Sequence, residues 1–187
     1  MVSGPLLGGA ALASREVDMK VAVNAVVAAC ALLMTVPSVE AQDVQPVSGT
    51  YWLDFSYQDP TWPPYAAVQR SKNVCDVSMG SRFVLEGTDP STDLSGNLDV
   101  VLSVSLKGPC DGDWSQAATI HGKGTFTGTL RGEEVAFEVN MVAKHEQDWV
   151  AYGQWVIQDG RGVHGILRFS GFVGWGGTFF GELRLTP

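Results

Sequence analysis

The chain has 187 residues, 45% of them hydrophobic, and a formal net charge of −8. That is one-domain length, too apolar for a disordered acidic tail, and 12 Lys and Arg against 20 Asp and Glu leave no basic footprint for a nucleic-acid partner. The 22 glycines exceed the usual share of about 7% but follow no Gly-X-Y period, which excludes collagen.

Residues 19–41 read MKVAVNAVVAACALLMTVPSVEA. One Lys, an apolar run broken by Asn24 and Thr35, and slim residues at Val39 and Ala41 make the three-part layout of a secretory signal-peptide helix cleaved after Ala41. The run falls short of the roughly 20 apolar residues of a membrane span, so the mature chain is expected to hold no stable span. A retained anchor helix is one competing reading. A lipoprotein signal at Val27-Ala28-Ala29-Cys30 is another, weakened by the apolar run that continues past Cys30. Arg15, Glu16 and Asp18 stand directly before Met19, which makes Met19 the expected true start. The expected division is therefore a signal at 1–41 and one domain at 42–187, secreted or periplasmic.

Beyond the signal only Cys75 and Cys110 remain. An even count in an exported chain points to a disulfide between them.

From residue 49 on, the apolar period is two. Tyr51, Leu53, Phe55 and Tyr57 share one face of a first strand, with Trp52, Asp54 and Ser56 opposite. Residues 97–106 and 133–144 alternate in the same way, and further strands are expected at 82–86, 118–130, 149–158, 166–173 and 177–186. Asp89-Pro90, Gly108-Pro109, Arg131-Gly132 and Asp159-Gly160 separate them as turns. About eight strands and no amphipathic helix predict an all-β, antiparallel barrel. Gly122, Gly124 and Gly128 on one strand, and Gly177 and Gly181 on another, suit the tight coiling of barrel corners. The stiff segment 58–65, with Trp62 among Pro60, Pro63 and Pro64, and the polar segment 86–97 are expected to be loops.

Reaction signatures are few. There is no Gly-x-Ser-x-Gly elbow and no His-Glu-x-x-His. The acidic turns lack the Asp-x-Asp-x-Asp-Gly order of a calcium loop, and no phosphate-cradling glycine motif opens a helix. No metal and no cofactor are expected. Glu138 is the carboxylate placed in mid-strand, an acid or base if it faces inward and a solvated residue if it faces out; Tyr152 is the second polar candidate. Trp149, Trp155, Phe137, Phe126 and Phe169 are the ring-bearing candidates for lining an apolar ligand, with core filling as the alternative.

Residues 160–171, GRGVHGILRFSG, leading into Gly177-Thr178-Phe179-Phe180-Gly181, resemble the glycine and aromatic ending of allene oxide cyclase-like barrel proteins, the superfamily that includes plant dirigent proteins. The resemblance implies an eight-stranded antiparallel barrel with an apolar cavity, often oligomeric, in which enzyme members fold a flexible substrate with few catalytic groups. No catalytic residue of that family matches a position here. Gly49-Thr50-Tyr51-Trp52 gives a weaker resemblance to avidin-like barrels, without their biotin-contacting pattern.

Three functions are expected to compete. The first is a secreted barrel holding a small apolar or amphipathic molecule in its interior. The second is a cofactor-free isomerase or cyclase acting by confinement, with Glu138 or Tyr152 as helper. The third is an interaction module using Trp62 and its Pro-rich loop. Self-association into a homo-oligomer is compatible with each.

Overall fold

Alternation becomes strand along nearly the whole domain in the computed structural model, which describes residues 43–89, 93–146, 148–158 and 162–185. The expected signal helix, the Met19 start and Cys30 lie outside the described residues. The nine strands are β1 (Asp43–Leu53), β2 (Ala66–Ser71), β3 (Val74–Gly87), β4 (Leu94–Leu106), β5 (Ala118–Leu130), β6 (Glu133–His145), β7 (Val150–Gln158), β8 (Val163–Phe172) and β9 (Gly176–Leu185). No helix occurs among the described residues.

Strands β3 to β9 form an antiparallel meander, each pairing with the next in sequence. The first strand then closes it: β1 pairs with β9 on one side and with β3 on the other, from Gly49 opposite Gly87 to Leu53 opposite Phe83. The result is the expected eight-stranded antiparallel barrel, with β2 as a ninth strand outside the closed ring. Both β1 and β2 use the same edge of β3, β2 along residues 74–78 and β1 along 83–87. Pro46 fits within β1 because β3 reaches only as far as Gly49. The N–H of Ser48, two residues on, points away from β9 to Asp93 Oδ1 at 3.0 Å, so the imide nitrogen of Pro46 has no ladder bond to lose.

Inward positions are mostly apolar along the closing strands, with Ser81 of β3 and His145 of β6 as buried polar exceptions. Val100, Leu102, Val104, Phe126, Phe137, Val139, Trp155, Leu167, Phe179 and Leu183 are all buried, and each such side chain contributes roughly 1.5–3 kcal/mol on leaving water. The centre is a cluster of rings. Trp155 stacks on Phe169 at 4.6 Å and meets Tyr51 edge-on at 5.4 Å, while Phe126 stacks on Phe137 at 4.8 Å. Burial pushes the Tyr51 phenol up to about 12. Charges sit outside: Asp76, Arg82, Asp99, Lys123, Glu134 and Glu138 occupy outward positions of β3 to β6. Apolar inside and charged outside is the reverse of a barrel whose wall faces lipid.

Three expectations need correction. The first strand ends at Leu53, so Tyr51 and Leu53 face the interior but Phe55 and Tyr57 do not. Asp54 stops it, its N–H donating to the Arg82 carbonyl while its carboxylate accepts from the Ser56 N–H, and Phe55 is left exposed. Residues 86–87 and 94–97 belong to β3 and β4, so the loop there is shorter than expected. Asp93 is buried and fastens that loop by accepting from the N–H groups of Ser48 and Asp89. Finally, Trp149 stands before β7, not within it, with φ at 65°.

The Pro-rich loop lies along the barrel wall. Trp62 covers Gly80 of β3, where any Cβ would run into the indole. Tyr57 meets Trp62 edge-on, and the Arg82 guanidinium sits 3.2 Å from the centre of the Tyr57 ring. Two 2.6 Å hydrogen bonds tie Arg82 to Asp99, and these bonds raise its pKa further. Cys75 at the start of β3 is bonded to Cys110, which ties the β4–β5 connection to the barrel.

Candidate functional site

Of the sequence candidates, Phe126, Phe137, Trp155 and Phe169 face inward, and each is buried among the other rings. They occupy the interior as core. Glu138 points outward, its side chain 63% exposed and 3.5 Å from the Lys123 ammonium. Tyr152 also points outward and donates to Glu146 Oε1 at 2.7 Å, a bond that raises the phenol's pKa. Trp149 is exposed at a barrel rim, edge-on to His145. The structure therefore brings the four inward rings together and leaves Glu138, Tyr152 and Trp149 on the outside. Trp62 is half-buried on Gly80, so its loop presents mainly Pro60, Pro63, Pro64 and Tyr65 to solvent.

What the strand patterns miss is an outer face. Twelve large apolar or aromatic side chains are exposed among the described residues, and nine of them fall on the wall built by β1, β9, β8 and β7 or on the rim it ends in; the other three are Tyr65, Val68 and Val142. Strand register sorts this wall into lateral rows of outward residues. Nearest the rim with the β8–β9 turn come Trp52, Gly176, Phe172 and Val150. Below it lies a hydroxyl row of Thr50, Thr178, Ser170 and Tyr152. The next is Ser48, Phe180, Arg168 and Gln154, followed by Pro46, Glu182, Ile166 and Val156. The last is Val44, Arg184, His164 and Gln158.

The lower three rows line a cleft of about 1160 Å³, which the 88–93 connection borders through Thr88, Asp89 and Asp93. Phe180 is 56% exposed there and Ile166 49%. Arg168 lies directly across from Phe180, and Arg184 across from His164, with Glu182 between the two arginines on the outward side. Neither arginine forms an ion pair within 4 Å among the described residues, whereas Arg70, Arg82 and Arg131 all do. Exposed apolar groups beside uncommitted cations can hold a molecule with an apolar body and an anionic end.

Two smaller clefts also open outward. One, of about 420 Å³, runs along β2 to β5 between Val68, Asp76, Ser103 and His121. The other, of about 470 Å³, lies at the rim beside Lys107, Lys144 and His145. His145 is 2% exposed and its Nε2 has no hydrogen-bond partner. No group of three or more His, Cys, Asp or Glu suited to a metal ion occurs among the described residues.

Compared with protein-family models, with curated proteins and with solved structures, the chain matches none.

Proposed function

We propose that the chain is an exported binding protein, and that it holds an amphipathic small molecule with an anionic group on the outer wall formed by β1, β7, β8 and β9. One observation carries this reading: in a chain of net charge −8, Arg168 and Arg184 stand without ion-pair partners among the described residues, beside exposed Phe180 and Ile166, in a single cleft. The cleft has room for a drug-sized molecule, and the arginines offer planar forks for a carboxylate, phosphate or sulfate. The outer wall is preferred to the interior because Trp155 stacks on Phe169 and Phe126 on Phe137 there, all four buried. Export is supported by the signal-like residues 19–41 and by the Cys75–Cys110 bond, which needs an oxidising compartment to persist. Kinship with the allene oxide cyclase-like barrels is supported by the closed eight-stranded architecture and the glycine–aromatic strand pattern.

The test is a titration of the mature, oxidised protein with octanoate and with octanol, followed by NMR. Octanoate is expected to bind more tightly than octanol and to shift the signals of β8 and β9. Arg168→Ala and Arg184→Ala should each weaken it by about tenfold, the loss of roughly one charge-assisted hydrogen bond. Equal affinity for acid and alcohol, or unchanged binding in both variants, overturns the reading.

A further inference from the structure

At the rim end of the same wall, five aromatic side chains gather around the β8–β9 turn. Trp52 and Phe172 are outward residues of one lateral row, separated by Gly176. Gly176 has φ at 134°, and a Cβ there would collide with the Tyr51 carbonyl oxygen, so no side chain can stand between the two rings. Neighbouring strands lie about 4.8 Å apart, which places Trp52 and Phe172 about 10 Å apart across a bare floor. Trp175 is 82% exposed at the tip of the turn, its N–H bonded to the Phe172 carbonyl at 3.1 Å. Phe55 lies against the same turn at Gly174. Trp149 joins it from the β6–β7 connection, its carbonyl accepting the Val173 N–H at 2.9 Å. A tryptophan held at φ 65° is a sparsely populated conformation that surrounding contacts must enforce. The Val173 bond and the His145 ring supply those contacts.

The polar groups around these rings are mostly hydroxyls and carboxylates. Immediately below them runs the hydroxyl row Thr50, Thr178, Ser170 and Tyr152, all exposed. Beside them stand the carboxylates of Asp54, Glu146 and Asp148, the first two hydrogen-bonded to Ser56 and Tyr152. On β1, β9, β8 and β7 neither of these two rows contains a Lys or Arg, although Lys144 of β6 lies across from Tyr152 at the end of the hydroxyl row.

We infer that this rim is a second binding site, distinct from the cleft at Arg168 and Arg184, and that it takes a neutral saccharide. Flat rings match the C–H faces of a sugar. Carboxylates and hydroxyls accept from sugar O–H groups, and charge-assisted acceptors give the stronger bonds. The same carboxylates repel phosphate, sulfate and anionic lipid headgroups. An exposed aromatic cluster of this size on a monomer marks an interaction surface. The bare position at Gly176 leaves a slot between two rings that one sugar ring can enter edge-on.

The experiment uses the mature, disulfide-bonded protein. Cellohexaose, xylohexaose, mannohexaose, maltohexaose and chitohexaose are titrated separately to millimolar concentration, read by tryptophan fluorescence and calorimetry. At least one is expected to bind. Trp175→Ala and Phe172→Ala, both at exposed positions, should weaken it by about tenfold each, with circular dichroism unchanged. Phe180→Ala, in the anionic-ligand cleft, should bind the saccharide as the wild type does, which separates this site from the one proposed above. Absence of binding across the panel overturns the inference. So does unchanged affinity in both rim variants. Sedimentation with neutral phosphatidylcholine vesicles that depends on Trp175, or a dimer that Trp175→Ala converts to monomer, would assign the rim to a lipid surface or to a second copy and overturn it equally.

Discussion

His145 is the residue at which burial and titration meet. It closes β6, is almost wholly buried, and its Nε2 has no partner. Burial holds its pKa below the ordinary imidazole value, outweighing the Gln116 carbonyl and the Asp148 charge that favour the proton. The folded protein therefore keeps the ring neutral to lower pH than the unfolded chain, which takes up a proton near pH 6.5. A group that binds more protons unfolded than folded makes stability rise with pH. Its contribution is present above pH 6.5 and is lost as pH falls below that value. Urea midpoints of wild type and His145→Gln at pH 7.5 and pH 5.5 check this. The wild type should lose stability on acidification, and the variant should lose less. Trp149, four residues on, shows where residue-level reading stops. Its parity with Ala151 and Trp155 places it inward if the strand is regular. The left-handed turn before Val150 breaks that parity, and nothing in the Trp149 side chain announces it; the one local hint is Asp148, whose carboxylate accepts the Val150 N–H in the turn.

At the level of elements, alternation is a sufficient guide for β4, β5 and β6, but not for β3, which begins at Val74 and not at residue 82. Strands β4, β5 and β6 fall within a few residues of their expected limits because one face of each is apolar along most of its length. The edge strand β2, Ala-Ala-Val-Gln-Arg-Ser, is exposed at every position, so it has no dry face and carries no period to read. It is held instead by the β3 ladder and the Arg70–Asp76 pair. The outer wall is half legible. Trp52 on the polar parity of its strand and Trp175 within a glycine-rich turn are visible in the sequence as misplaced aromatics. That β1, β9, β8 and β7 stand side by side, and so gather them, depends on the chain's first strand meeting its last. The Pro-rich loop offers a test at this scale. Gly80→Ala puts a methyl group where the Trp62 indole lies, and the loop must lift. Limited proteolysis should then cut within residues 54–65 faster than in the wild type, while the barrel strands stay protected. Equal cleavage rates would show that the loop is not pinned by this contact.

For the molecule as a whole, the Cys75–Cys110 bond spans 35 positions and joins β3 to the β4–β5 connection, which Trp114 and the Gln69 side chain also hold. Closing a loop of that size contributes on the order of 3–4 kcal/mol in the chain-entropy model. Denaturant unfolding with and without reductant should show a loss of that order, with the native near-ultraviolet spectrum retained in the reduced protein before denaturant is added. A loss below about 1 kcal/mol would mean that the reduced unfolded chain stays compact in this region. A closed ladder with a ring-packed interior and one disulfide restricts the spacing of the side chains on its outer wall.

The way the ring is closed also sets an order of events in time. From β3 to β9 every ladder joins neighbours in sequence and can zip as soon as its turn forms. The first strand emerges earliest, yet it pairs with the last strand and with β3, and its ladder to β3 is five residues long. Its ladder to β9 must wait for the last strand, so assembly ends with a long-range closure that proceeds slowly and leaves two open edges until it is done. Under tension or in mild denaturant, the short β1–β3 seam is where the barrel parts first. Amide exchange at residues 49–53 and 83–87 would then run ahead of exchange in β5 and β6.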